Sequence, residues 1–173
     1  MKLALPLLTV VCLFNFVACA GAPSAEEVIS QAKSKAATEQ KAIFVHFGAS
    51  WCGWCKRLDS FLDREDIKPV FEKYFIPVKL VVQENDKNKS LENPGAEALL
   101  KKLGGPSGLP YSAFLDAKGD SIINSKLHGE NIGYPAQPEE IGHFIQMMKQ
   151  ASPKMPESDL KIIETVLRSF KKS

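Results

Sequence analysis

Cysteine and histidine are both scarce in this chain, with four of the first and three of the second in 173 residues. Two of the cysteines, Cys12 and Cys19, lie within the first twenty residues, which leaves Cys52 and Cys55 for chemistry elsewhere. So few cysteines exclude a disulfide-dense scaffold. His46, His128 and His143 form no His-x-x-x-His pair, and there is no second Cys-x-x-Cys, so the usual four donors of a zinc site are not in evidence. Lys56 follows Cys55 and excludes the Cys-x-x-Cys-His pattern of haem attachment. Glycine and proline, eleven each, are too few for a collagenous or disordered chain. Neither sign of charge dominates: 22 basic against 20 acidic residues give a formal +2, without the basic excess expected of a nucleic-acid binder. Internal repeats and low-complexity tracts are absent too, and the length suits one domain.

What is present begins with an apolar leader. Leu3 to Val17 is interrupted only by Pro6, Thr9 and Asn15, and Ala18-Cys19-Ala20 has the small-x-small form of a signal peptidase site. The run is short for a membrane span, so residues 1–20 are expected to be a signal peptide and the protein to be exported. Two cuts compete. One follows Ala20 and gives a soluble, periplasmic or otherwise extracytoplasmic protein. The other, at the lipobox-like Phe16-Val17-Ala18-Cys19, leaves Cys19 as a lipid anchor. Export places Cys52 and Cys55 in an oxidising compartment.

Ser24 with Glu27 forms a capping box, and the apolar spacing behind it predicts a helix over roughly 25–40. Ala42 to Phe47 reads as a strand buried on both faces. From Trp51 the period becomes helical, with Trp51, Trp54, Cys55, Leu58, Phe61 and Leu62 on one stripe, and a second short helical segment follows from Pro69. A strand is expected at 78–82, and the polar 83–93 reads as a surface insertion without an element of its own. Asn93-Pro94 looks like an N-cap and first helical position, opening a helix to Leu103. Strands at 111–115 and 121–125, joined by a tight turn, precede a helix at 138–151. A final amphipathic helix carries Leu160, Ile163, Val166, Leu167 and Phe170. The order α, β, α, β, α, β, β, α, α implies an α/β domain, a mixed central sheet flanked by helices. Its bounds are placed at 21–152, with 153–173 an extra C-terminal helix.

The chemistry lies at Cys52-Gly53-Trp54-Cys55, where a strand ends and a helix begins. Unpaired N–H groups and the positive end of the helix dipole favour a thiolate at the first cysteine. Thiol pKa values there fall from ~8.5 to between ~3.5 and ~7.5. Cys52 is therefore the expected nucleophile and Cys55, one turn further in, the resolving thiol. A cross-link spanning so few residues removes little chain entropy, so a purely structural disulfide is the weaker reading. A metal site remains the main rival.

Gly48-Ala49-Ser50-Trp51-Cys52-Gly53-Trp54-Cys55-Lys56 after an apolar strand resembles the active-site segment of the thioredoxin-like family. Gly108-Leu109-Pro110 before the strand at 111 is similar to that family's cis-proline loop. The resemblance spans roughly 42–151. It implies a thioredoxin-like fold and a thiol–disulfide oxidoreductase exchanging a Cys52–Cys55 disulfide with protein thiols and disulfides and with a redox partner. It implies a cis Leu109–Pro110 bond, and a substrate surface from Trp51, Gly53, Trp54, Leu109 and Pro110. No cofactor is expected. Thioredoxin has proline where Trp54 stands, which leaves open whether reduction, oxidation or isomerisation dominates. It has a buried aspartate at the position of His46, six residues before Cys52, which makes His46 a candidate proton acceptor for Cys55. The alternative function is a thioredoxin-fold module that holds a soft metal such as Cu(I), or binds proteins, without redox turnover.

Overall fold

All seven residues of β1 (Ala42–Gly48) are buried, and this strand fixes the rest of the architecture. The computed structural model describes residues 21–105 and 108–169. The signal peptide, the lipid anchor at Cys19 and the placement of Phe170 lie outside the described residues. Because side chains alternate along a strand, the continuous apolar run of β1 supplies two cores at once. Ile43, Val45 and Phe47 enter one cluster, with α1 (Ala25–Glu39) and α4 (Ala96–Lys102) laid over it. Phe44 enters the other, beneath α2 (Gly53–Leu62), α3 (Lys68–Glu72), α5 (Pro138–Ala151) and α6 (Glu157–Ser169).

The sheet order is β2-β1-β3-β4. β2 (Phe75–Val81) runs parallel to β1, the pairing that the intervening α2 and α3 permit. β3 (Tyr111–Leu115) is antiparallel on the other side, and β4 (Ser121–Asn124) continues it as a hairpin with an irregularity at Phe114/Leu115. This is the mixed α/β sheet expected from the element order. One register position recurs at the functional site: His46 lies between Lys79 of β2 and Ser112 of β3.

Helix boundaries follow local chemistry. Ser24 Oγ accepts the Glu27 N–H while the Glu27 carboxylate accepts the Ser24 N–H, so both halves of the capping box form. These bonds hold the Glu27 carboxyl below its usual range, with the backbone hydrogen bond of Ser24 the largest cause. Ala32 and Ala36 are buried, and their small size lets α1 lie close to the sheet. Phe44, Phe71, Phe75, Phe114 and Phe144 interlock at tilted and edge-on angles, with ring centroids as close as 4.7 Å. α6 buries Leu160, Ile163 and Leu167 in this cluster and is tied down by the Tyr74 hydroxyl, which donates to Asp159 at 2.6 Å.

Four expectations need correction. β2 begins at Phe75, three residues before the expected start, because Phe75 and Ile76 are core residues that pair with Ala42 and Ile43. Segment 83–93 contains a 3₁₀ helix, Asp86–Leu91, capped by the Asn85 side chain. Gly95, at φ +83°, is the N-cap of α4. Asn93 is drawn away from that role: its Oδ1 accepts the Val81 N–H and its Nδ2 donates to Pro23 O. Finally, the loop after β4 holds two short paired strands, β5 (Lys126–Leu127) and β6 (Glu130–Asn131).

Ile163 is fully buried, so Ile163→Ala is expected to lower unfolding free energy by ~2–5 kcal/mol in urea titrations. A loss below ~1 kcal/mol would mean that α6 does not pack as described.

Candidate active site

The turn between β1 and α2 is built around close approach. A Cβ added to Gly48 would stand 3.1 Å from Cys55 Cβ and 3.2 Å from Cys55 Sγ, so glycine at the strand end lets the helix settle onto it. Beyond Gly48 the Cys52 N–H donates to Ala49 O at 3.1 Å, closing a turn that delivers Cys52 to the N-cap of α2. Trp51 therefore precedes the helix and is not part of its apolar stripe. Cys52 Sγ accepts the Cys55 N–H at 3.1 Å, the sulfur filling the place usually taken by a capping oxygen. The two sulfurs are bonded, with Cα atoms 5.2 Å apart. Cys52 is 5% exposed and Cys55 1%.

Leu109 packs against Ala49, Cys52 and Cys55, and the Leu109–Pro110 peptide is cis. The loop is held by Asn131, whose Nδ2 donates to Gly108 O at 3.1 Å and to Pro110 O at 3.0 Å. Its Oδ1 accepts from Ser125 Oγ at 2.8 Å and from the Gly133 N–H at 3.2 Å, so one amide is bonded on both sides.

His46 projects from the same face of β1 as Gly48 and Phe44, and is 4% exposed. Its Nε2 lies 3.0 Å from Asp59 Oδ1, and Asp59 Oδ2 accepts from Lys79 Nζ at 2.6 Å. Asp59 is four residues after Cys55, so the pair sits one helical turn below the disulfide. Burial opposes ionisation of Asp59, but the hydrogen bonds from His46 and Lys79 prevail and hold its carboxyl below the usual range. His46 Nδ1 is buried with no hydrogen-bond partner among the described residues. A cavity of about 310 Å³ lies beside this group, lined by His46, Asp59, Phe71, Pro77 and Lys79 among others.

The rim carries two exposed indoles. Trp51 (56% exposed) donates from Nε1 to Gln83 O at 2.8 Å. Trp54 (53%) stacks on Tyr134 at 6.0 Å, with the Arg57 guanidinium over both rings. Gly53 opens α2, and a Cβ there would meet nothing.

The profile of the family described as thioredoxin-like matches residues 25–117, more than half of the chain. The chain belongs to the thioredoxin-like family. Among solved structures it is similar to a disulphide isomerase from Xylella fastidiosa Temecula1, at 19% identity and a TM-score of 0.52, over 86% of this chain and 92% of that one. It is also similar to the C-terminal domain of Neisseria meningitidis DsbD in the oxidised form, at 19% identity and a TM-score of 0.48, over 74% and 99%. At such identity the first likeness bears on the fold alone. No curated protein matches the chain by sequence.

In this thioredoxin-like site the structure gathers Trp51, Cys52, Gly53, Trp54, Cys55, Leu109 and Pro110 at one end of the sheet. It places His46 under α2 with Asp59 as its partner, one turn away from the cysteines. Three residues escaped sequence reasoning. Asp59 carried a usable signal, since it lies four residues beyond Cys55 on the helix face that meets the sheet. Asn131 and Glu84, whose buried carboxylate accepts from the N–H and hydroxyl of Ser50 just before Trp51 and Cys52, carried none, being single polar residues in polar stretches. Among the described residues no three of His, Cys, Asp and Glu converge as a metal-holding group.

Because the Asp59 pKa is lowered on folding, its pairing stabilises the fold above its unfolded value of 3.8 and fades as pH falls through the folded value. Asp59→Asn should therefore be less stable than the parent at about pH 6, with the gap shrinking toward about pH 2.5, in urea titrations at both. A gap independent of pH would contradict the ionised pairing.

Proposed function

We propose that this thioredoxin-like protein is an exported thiol–disulfide oxidoreductase that exchanges electrons between Cys52–Cys55 and protein substrates. The observation that carries the reading is the place of Cys52 Sγ at the N-terminus of α2, accepting the Cys55 N–H at 3.1 Å. In the dithiol state the same N–H and the helix dipole favour a Cys52 thiolate. That thiolate attacks one sulfur of a substrate disulfide, forms a mixed disulfide and expels the other sulfur as a thiolate. Cys55 then loses its proton and attacks Cys52 Sγ, re-forming the Cys52–Cys55 bond and releasing the second substrate sulfur. Two electrons pass to the substrate, and run in reverse the same steps oxidise a substrate dithiol.

His46 is the proposed acceptor for the Cys55 proton. Its position on the β1 face that also carries Gly48, against which Cys55 packs, supports this assignment. Asp59 and Lys79 lead from His46 toward solvent, with Lys79 nearly half exposed. Trp51, Gly53, Trp54, Leu109 and Pro110 form the proposed contact surface for protein thiols and disulfides. Export rests on the apolar leader of residues 1–20, with a lipid anchor at Cys19 or a free N-terminus after Ala20 as its two forms. Among the described residues no helix is long and apolar enough to cross a membrane.

Cys55→Ser is expected to accumulate mixed disulfides with exported proteins through Cys52, and Cys52→Ser to accumulate few, read on non-reducing gels. Equal trapping by both would remove the two roles. His46→Ala should slow release of the mixed disulfide by ~10²–10⁴-fold, the range of general-base assistance, while leaving its formation near the parent rate. A release rate unchanged across about pH 5 to 9 would leave His46 a packing residue.

A further inference from the structure

Glu84 is 6% exposed, a depth at which carboxylates are rare unless paired. Its two oxygens turn toward the redox turn: Oε1 accepts the Ser50 N–H at 2.5 Å and Oε2 accepts from Ser50 Oγ at 2.7 Å. Asn88 Nδ2 donates to the same hydroxyl at 2.9 Å. Glu84 is itself fixed from behind, because its N–H donates to Glu92 Oε1, and Glu92 is paired with Lys89. The preceding residue, Gln83, adopts φ +55° and offers its carbonyl to Trp51. Residues 83–92 therefore grip Ser50 and Trp51, the two residues directly before Cys52.

We infer that Glu84 is a positioning residue of the redox turn, and that its carboxylate restrains the thiolate at Cys52. The inference rests on the redox reading of Cys52 and Cys55. Ser50 occupies the second place of the Ala49–Cys52 turn, so its grip by Glu84 sets the path by which Cys52 reaches the helix end. Ser50 and Cys52 are two residues apart, so their Cα atoms lie within ~7 Å. With the hydrogen bond to Ser50 and the Cys52 side chain added, the carboxylate stands at most ~14 Å from the Cys52 sulfur, where a partly buried pair of charges still interacts weakly. A negative charge there opposes a second negative charge on Cys52 Sγ, countering the helix N-terminus. The buried grip thus moderates an otherwise strongly activated thiol.

The test compares reduced parent, Glu84→Gln and Asn88→Asp in the full chain, by the rate at which iodoacetamide alkylates Cys52. The pH is set about one unit below the midpoint of the parent's own rate–pH profile, where the thiolate fraction still responds to charge. In that reaction the Cys52 thiolate displaces iodide and forms a carbon–sulfur bond, so its rate follows the thiolate. Glu84→Gln keeps the shape and removes the charge, and is expected to raise the rate about two- to threefold, the gain in thiolate being partly offset by lower nucleophilicity. Asn88→Asp adds a charge at the half-buried outer side of the same cluster, and is expected to lower the rate about twofold. A loosened turn alone would move both variants the same way, and that result, or two unchanged rates, overturns the inference. If Glu84→Gln does not fold, an unchanged rate in Asn88→Asp overturns it. Single-turnover exchange is measured alongside, of the reduced parent with a protein disulfide and of the oxidised parent with a protein dithiol. A parent that passes no electrons refutes the redox reading, whereas an active parent with unresponsive variants refutes only the role of Glu84.

Discussion

The contact between Gly48 and Cys55 is the constraint on which the rest of this structure depends. A helix can begin at the end of a central strand only if the strand leaves room for it, and here a Cβ at residue 48 would lie 3.2 Å from the sulfur of Cys55. With that space open, α2 starts at Gly53, Cys52 becomes its cap, and the Cys55 N–H points at the Cys52 sulfur. The buried β1 keeps this junction rigid. Its alternate residues are locked into two separate cores, so neither face can shift without unpacking one of them.

Polar grips surround the junction on three sides. Glu84 holds the turn before Cys52, Asn131 holds the loop carrying the cis proline, and the pair of His46 and Asp59 joins β1 to the helix one turn below the disulfide. Glu84, Asn131 and Asp59 are each bonded through both polar atoms of the side chain. Such groups fix one geometry where apolar packing alone would tolerate several. Glu84, Asp59 and Lys79 bring charge to the elements that carry the cysteines, which connects the architecture to thiol reactivity.

Much of this was legible in the sequence. The change from a continuous apolar run to helical spacing at residue 51 located the strand–helix junction, and Ser24 with Glu27 announced the first helix. Leu109-Pro110 before an apolar strand marked the second half of the site. What stayed hidden has a common physical cause. Glu84 meets Ser50 across 34 residues, and Asn131 meets Gly108 and Pro110 across more than 20, so no local period records either contact. A buried Glu in a polar segment looks like a solvated one until the chain has folded. Asn93 misled for a related reason: its side chain had two bonding options, and the distant Val81 N–H took it from the helix cap.

The central claim is that Cys52 and Cys55 form a reversible two-electron couple. Equilibrating the purified protein anaerobically against graded glutathione redox buffers, quenching with acid and counting free thiols by mass tests it most directly. The account predicts one reversible transition from disulfide to dithiol, with a potential between about −270 and −120 mV, the span from thioredoxin to strongly oxidising relatives. A pair that stays fully disulfide or fully dithiol across those buffers, with no such transition, would contradict it.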